Sequence, residues 1–171
     1  MGNESALILP IPEVESLVGP LRWRYDRASR LGVPAHMTLL YPFRPPLAID
    51  REIKMIEDLC ASIKSIPFSF TEVRRFPATA YLHPDNPEPF TQLIHTLTKM
   101  WPDCQPYGGA HRDIIPHLTV ADQVDAATLQ AVEDAVRPRL PIACVAKQIW
   151  LMTSDPSGIW SRITSLPLGG S

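Results

Sequence analysis

A strongly basic surface is the first thing this chain lacks. Its 16 Lys and Arg are outnumbered by 18 Asp and Glu, for a net charge of −2. Proteins that wrap long nucleic acid present a basic face. A nucleic-acid ligand would therefore be short here, or gripped only at an end. Cysteine is scarce as well: Cys60, Cys104 and Cys144 are scattered and odd in number. No CxxC or Cys/His ligand spacing occurs, which argues against zinc and for a reducing cytoplasm. Long hydrophobic runs are missing too, and none approaches membrane-spanning length. The opening MGNESALILPIP has no basic n-region, and ALIL is too short for a signal-peptide core. Ala6 breaks the myristoylation pattern, which wants Ser or Thr there. The expectation is a cytoplasmic protein with no membrane partner.

What the chain has in excess is proline, 19 of its 171 residues. The prolines fall between apolar runs, where they punctuate elements rather than mark disorder. Residues 1–171 read as one domain, long enough for two small lobes that share a core, with the terminal GGS loose. Ser5 to Ile11 reads as a strand. Glu13 to Arg30 is helical in pattern, with Pro20 breaking or kinking it. A Gly32-Val33-Pro34 turn leads into a strand from His36 to Phe43. Ile49 to Ile63 is an amphipathic helix. Phe68 to Phe76 and Ala78 to His83 read as strands, and Pro87 to Trp101 as a helix. Cys104 to Ile115 is a long loop containing Tyr107-Gly108-Gly109. His117 to Ala121 is a strand and Ala126 to Val136 a helix. Ile142 to Thr153 and Ile159 to Leu166 form a closing strand pair around the turn Asp155-Pro156-Ser157-Gly158. The second half echoes the first, which fits α+β lobes with a cleft between them.

Two tripeptides stand out: His36-Met37-Thr38, opening HMTLLYPF, and His117-Leu118-Thr119, opening HLTVA. Proline precedes each, at Pro34 and Pro116. In a strand, residues two apart share a face. Each segment thus offers an imidazole and a hydroxyl to one space. Facing each other, the two would supply an acid, a base and two hydroxyl donors, which suffices to cleave a phosphodiester without a metal. One imidazole would take a proton from water while the other, protonated, gave one to the leaving oxygen. A single His-x-Thr is a weak pattern; two copies in matching contexts are a stronger one. His83, His95 and His111 lack the hydroxyl. His95 falls on a helix as a structural or surface residue, and His111 lies in the loop near the second tripeptide.

The paired segments, GVPAHMTLLYPF as a block, PYGG in the loop and Trp160 in the last hairpin resemble the two-histidine phosphoesterase superfamily. Within it the chain is most similar to the bacterial 2′-5′ RNA ligase and cyclic phosphodiesterase-like family. The resemblance covers most of the chain. It implies a bilobal α+β fold, two pseudo-symmetric lobes each with an antiparallel sheet and helices outside, and an active-site cleft between them. It implies metal-independent action on 2′,3′-cyclic or 2′-5′-linked phosphodiesters, with no cofactor. By the motif, His36 and His117 carry catalysis, and Thr38 and Thr119 bind substrate. Several relatives have an arginine three residues after the second threonine; this chain has Asp122. A replacement cation would come from Arg44 or Arg112. Tyr107, in the Gly-rich loop, can reach the cleft, whereas strict alternation puts Tyr41 on the core face with Met37 and Leu39. Trp160 serves as a lid or as packing.

The leading expectation is a hydrolase, a phosphodiesterase for a small nucleotide or an RNA terminus, acting as a monomer. The rivals are a nucleotide- or RNA-end-binding module with little turnover, and a metal site, for which no third ligand has suitable spacing. Which histidine is the base stays open.

Overall fold

The computed structural model describes residues 3–45, 49–110 and 113–169. Arg112, His111 and the last two residues of the GGS tail lie outside the described residues.

Two four-stranded antiparallel sheets form the molecule, with strand orders β2-β1-β7-β8 and β5-β4-β3-β6. The first contains β1 (Ser5–Pro10), β2 (His36–Leu40), β7 (Gln148–Ser154) and β8 (Trp160–Pro167). The second contains β3 (Ile66–Phe76), β4 (Thr79–Pro84), β5 (Leu118–Ala121) and β6 (Ile142–Ala146). The helices are α1 (Glu15–Tyr25), α2 (Arg27–Arg30), α3 (Asp50–Ser62), α4 (Glu88–Met100) and α5 (Ala126–Val136). This is the expected α+β architecture, with each His-x-Thr strand at the edge of its own sheet.

The helices cross between the sheets. Helix α1 follows β1 of the first sheet but packs on β5 of the second, while α4 follows β4 of the second and packs on β2 of the first. Helix α3 covers β8, and α5 covers β3, β4 and β5. One hydrophobic cluster therefore runs through both halves, joining Leu7, Leu9 and Leu151 to Phe70, Leu82 and Val120. Within it Phe90 of α4 meets Phe68 of β3 edge-on at 5.0 Å.

Two sequence expectations are corrected. Pro20 neither ends nor divides α1, which runs through it to Tyr25. Its missing N–H leaves the Ser16 carbonyl without the usual helical donor, but Val18 and Arg22 on either side are buried, and that burial holds the turn. The break falls at Asp26, whose side chain accepts from the Ala28 N–H at 3.0 Å and caps α2. The stretch from Ile142 to Thr153 is two strands, not one. Strand β6 pairs with β3, β7 pairs with β1 and β8, and the chain changes sheets at Lys147.

Candidate active site

The edge strands β2 and β5 of the two sheets lie in contact, which brings the two tripeptides near each other. Each carries the same irregularity. Leu7 and Ile8 pair with Leu40 and Thr38, so Leu39 is an extra residue on β2. Ala80 and Tyr81 pair with Ala121 and Thr119, so Val120 is an extra residue on β5. Such bulges shift the alternation of side chains by one. Leu39 and Leu40 are both buried, as are Val120 and Ala121. The phase shift corrects the expectation for Tyr41: it lines the cleft-side cavity with His36 and Thr38 rather than joining Met37 in the core.

Each histidine is held the same way. The Nδ1–H of His36 donates to the Pro34 carbonyl at 2.7 Å, and that of His117 to the Ile115 carbonyl at 2.6 Å. A carbonyl only accepts, so Nδ1 carries the hydrogen, and Nε2 is the accepting nitrogen of each neutral ring. The loop entering β2 is pinned by Glu15, which accepts from the Ala35 N–H at 2.8 Å, and by the Ile11 N–H, which donates to the Ala35 carbonyl at 2.9 Å.

The two surroundings differ. Behind His36 lies Arg22, 1% exposed, paired with Asp26 at 2.9 Å and donating to the Val33 carbonyl at 3.2 Å. Burial first, and then the Arg22 charge, lower the His36 pKa to about 4; His117 is close enough to contribute. His117 instead meets an aromatic wall. Phe76 and Tyr81 stack at 4.3 Å, and the His117 ring stands edge-on to them at 5.2 and 5.4 Å. His83 lies one step beyond the Leu82–Leu118 pair, beside His117. Burial and then Arg74 lower its pKa.

Thr38 and Thr119 are half-buried, and Thr38 lines the cavity beside His36. The Tyr107 side chain hydrogen-bonds Thr38, while burial raises the phenol pKa. Its N–H donates to the Tyr41 carbonyl at 2.6 Å. Tyr107 adopts a φ of 52°, a left-handed conformation uncommon for a side chain of this size and typical of functional loops.

Arg44 is ion-paired with Asp103 and, at 3.4 Å, with Glu52. The Asp122 carboxylate accepts from the Thr79 hydroxyl at 2.6 Å. Sequence reasoning did not select Glu4, Arg27 or Ser154. All three line a cavity of about 750 Å³ that opens beside His36 and Thr38. The Arg-rich run WRYDRASR was a signal for Arg27; nothing local marked Glu4. Among the described residues, no group of three or more His, Cys, Asp or Glu is placed to hold a metal ion. No helix among them is long and apolar enough to cross a membrane.

No curated protein matches the chain. Among solved structures, TT0787 of Thermus thermophilus superposes with a TM-score of 0.69 at 17% identity, over 98% of this chain and 99% of that one. LigT of E. coli, solved in complex with 3′-AMP, gives a TM-score of 0.61 at 12% identity over 99% and 100% of the two chains. A protein described as a phosphoesterase gives 0.62 at 15% identity over 99% and 100%. At such identities these likenesses show a common fold. A family model described as the 2′-5′ RNA ligase superfamily matches residues 10–158. That match spans both His-x-Thr strands and most of the chain, which belongs to the 2′-5′ RNA ligase superfamily.

Proposed function

We propose that the chain is a metal-independent phosphodiesterase acting on 2′,3′-cyclic phosphate or 2′-5′-linked ends of nucleotides or RNA. The observation that carries this reading is the matched pair of imidazoles on contacting edge strands. Each is locked through Nδ1 to the carbonyl two residues back. Family membership supports it, as does the fold shared with LigT, a protein solved with 3′-AMP.

His36 is the general base. Burial and Arg22 keep it neutral near pH 7, as a proton acceptor must be. His117 is the general acid. Water attacks phosphorus, and His36 Nε2 takes its proton. The bond from phosphorus to one ribose oxygen breaks, and His117 gives that oxygen a proton. The product is a nucleoside 2′- or 3′-phosphate, and solvent restores both histidines. The Thr38 and Thr119 hydroxyls donate to the non-bridging oxygens, where charge builds in the transition state. Tyr107 orients Thr38.

The test is hydrolysis of a 2′,3′-cyclic nucleotide panel in EDTA by wild type, His36→Ala and His117→Ala. Each substitution is expected to lower kcat by about 10²–10⁴ while leaving the thermal unfolding midpoint near that of wild type. Turnover that survives both substitutions would overturn the assignment.

A further inference from the structure

The cavity beside His36 is one-sided. It touches His36 and Thr38 but no residue of β5. Its floor is the second hydrophobic cluster of the molecule, Ala6, Ile8, Val33 and Met152, all buried and separate from the main core. Tyr41 and Trp160 close its far side, their rings edge-on at 6.0 Å. Beside them sits the Glu4 carboxylate, whose Oε2 accepts from the Tyr41 hydroxyl at 3.1 Å.

We propose that this cavity is the nucleoside subsite: the base lies against Trp160 and Tyr41, and its exocyclic amino group donates to Glu4. The proposal rests on the phosphodiesterase reading and names the substrate that reading leaves open, a nucleotide whose base carries an amino group. An apolar floor with two aromatic rings suits a flat ring and gives a bare sugar phosphate little to bind. Glu4 Oε2 already has the Tyr41 hydroxyl, which leaves Oε1 for an N–H donor. Adenine, guanine and cytosine present an amino group. Uracil presents carbonyl oxygens around its one N–H, and these repel a carboxylate. Of the charged side chains that line the cavity, Glu4 repels phosphate and Arg27 attracts it, so the ligand is oriented with its phosphate away from Glu4, toward His36 and Thr38, and its base toward Glu4.

The subsite is built rather than incidental. The Trp160 N–H donates to the Leu31 carbonyl at 2.7 Å. Gly32, at φ +99°, lets the two backbones meet, since a Cβ there would lie 2.7 Å from the Trp160 oxygen. At the other end, the Glu4 N–H donates to Ser154 Oγ at 3.1 Å, and the Ser154 N–H donates to the Glu4 carbonyl at 2.9 Å. Both ligand-facing side chains thus stand on fixed backbone.

The experiment compares 2′,3′-cyclic AMP, GMP, CMP and UMP with glycerol 1,2-cyclic phosphate, a cyclic phosphate that has no base. Wild type, Trp160→Ala and Glu4→Gln are assayed. The proposal expects the kcat/KM ratio of nucleotide to base-free compound to fall roughly tenfold in Trp160→Ala. It expects the preference for CMP over UMP to vanish in Glu4→Gln, a substitution at an exposed position that the fold tolerates. Wild type that cleaves glycerol cyclic phosphate as well as the nucleotides overturns the subsite and leaves the phosphodiesterase reading standing. If wild type cleaves none of these, the cyclic-mononucleotide part of that reading falls, and calorimetric binding of adenosine 3′-phosphate decides the subsite. Binding weakened roughly tenfold by Trp160→Ala upholds it; absent or unaltered binding overturns it.

Discussion

At the residue scale the two histidines match in sequence and in hydrogen bonding but differ in what stands behind them. Arg22 backs His36, buried and satisfied by Asp26 and Val33. Burial disfavours a positive charge on the imidazole, and the Arg22 charge acts the same way. If His36 must be neutral to accept a proton, activity falls only as pH drops through the His36 pKa of about 4. The acid limb of kcat/KM should therefore lie well below the usual histidine range. Removing the ion pair as a unit, with Arg22→Gln and Asp26→Asn together, should move that limb upward; a limb that stays near pH 4 would show that Arg22 is merely structural. Arg22→Gln alone leaves Asp26 buried and unpaired and should cost about 3–5 kcal/mol of stability. The same lowered pKa affects folding. Unfolded His36 binds a proton near pH 6.5, whereas folded His36 does not until about 4. The stability it contributes is thus present above the unfolded value and is lost as pH falls through that window.

Strands and turns explain what the sequence revealed and what it hid. The tripeptides were legible because a period of two and a preceding proline are local signals. Helices α3, α4 and α5 were legible through a different local signal, buried residues at helical spacing. The side of Tyr41 was not legible, because the bulge at Leu39 exists only in its pairing with β1. The division at Lys147 was hidden likewise, since only the partners β3 and β1 distinguish β6 from β7. Glu4 and Trp160 lie 156 positions apart in the numbering, and no window of sequence relates them. The turn at Gly32, against which the Trp160 backbone lies, gives a prediction of its own. Gly32→Ala places a methyl group 2.7 Å from the Trp160 oxygen and holds a side chain at φ +99°. The conformational strain alone costs about 1–2 kcal/mol. The melting temperature should fall by several degrees in a thermal scan, and an unchanged value would mean that β8 can yield there.

For the whole molecule, the crossing of α1 and α4 matters more than the pseudo-symmetry of the sheets. Two lobes that each covered their own sheet could loosen independently. Here the helix behind β2 comes from the β4–β5 connection, and the helix behind β5 comes from the β1–β2 connection. Moving the sheets widely apart would pull each His-x-Thr strand from its supporting helix, so the two strands are held together by the same packing that forms the core. Folding of the two halves should accordingly be one event. Equilibrium unfolding in urea, followed by tryptophan fluorescence and by far-UV circular dichroism, should give coincident single transitions. Phe90 is fully buried on α4 and touches Phe68 of the other sheet. Phe90→Ala should therefore shift both curves together, by about 3–5 kcal/mol. Curves that separate, with the signal from one sheet lost before the other, would show that the halves unfold independently and that the crossed helices do not couple them.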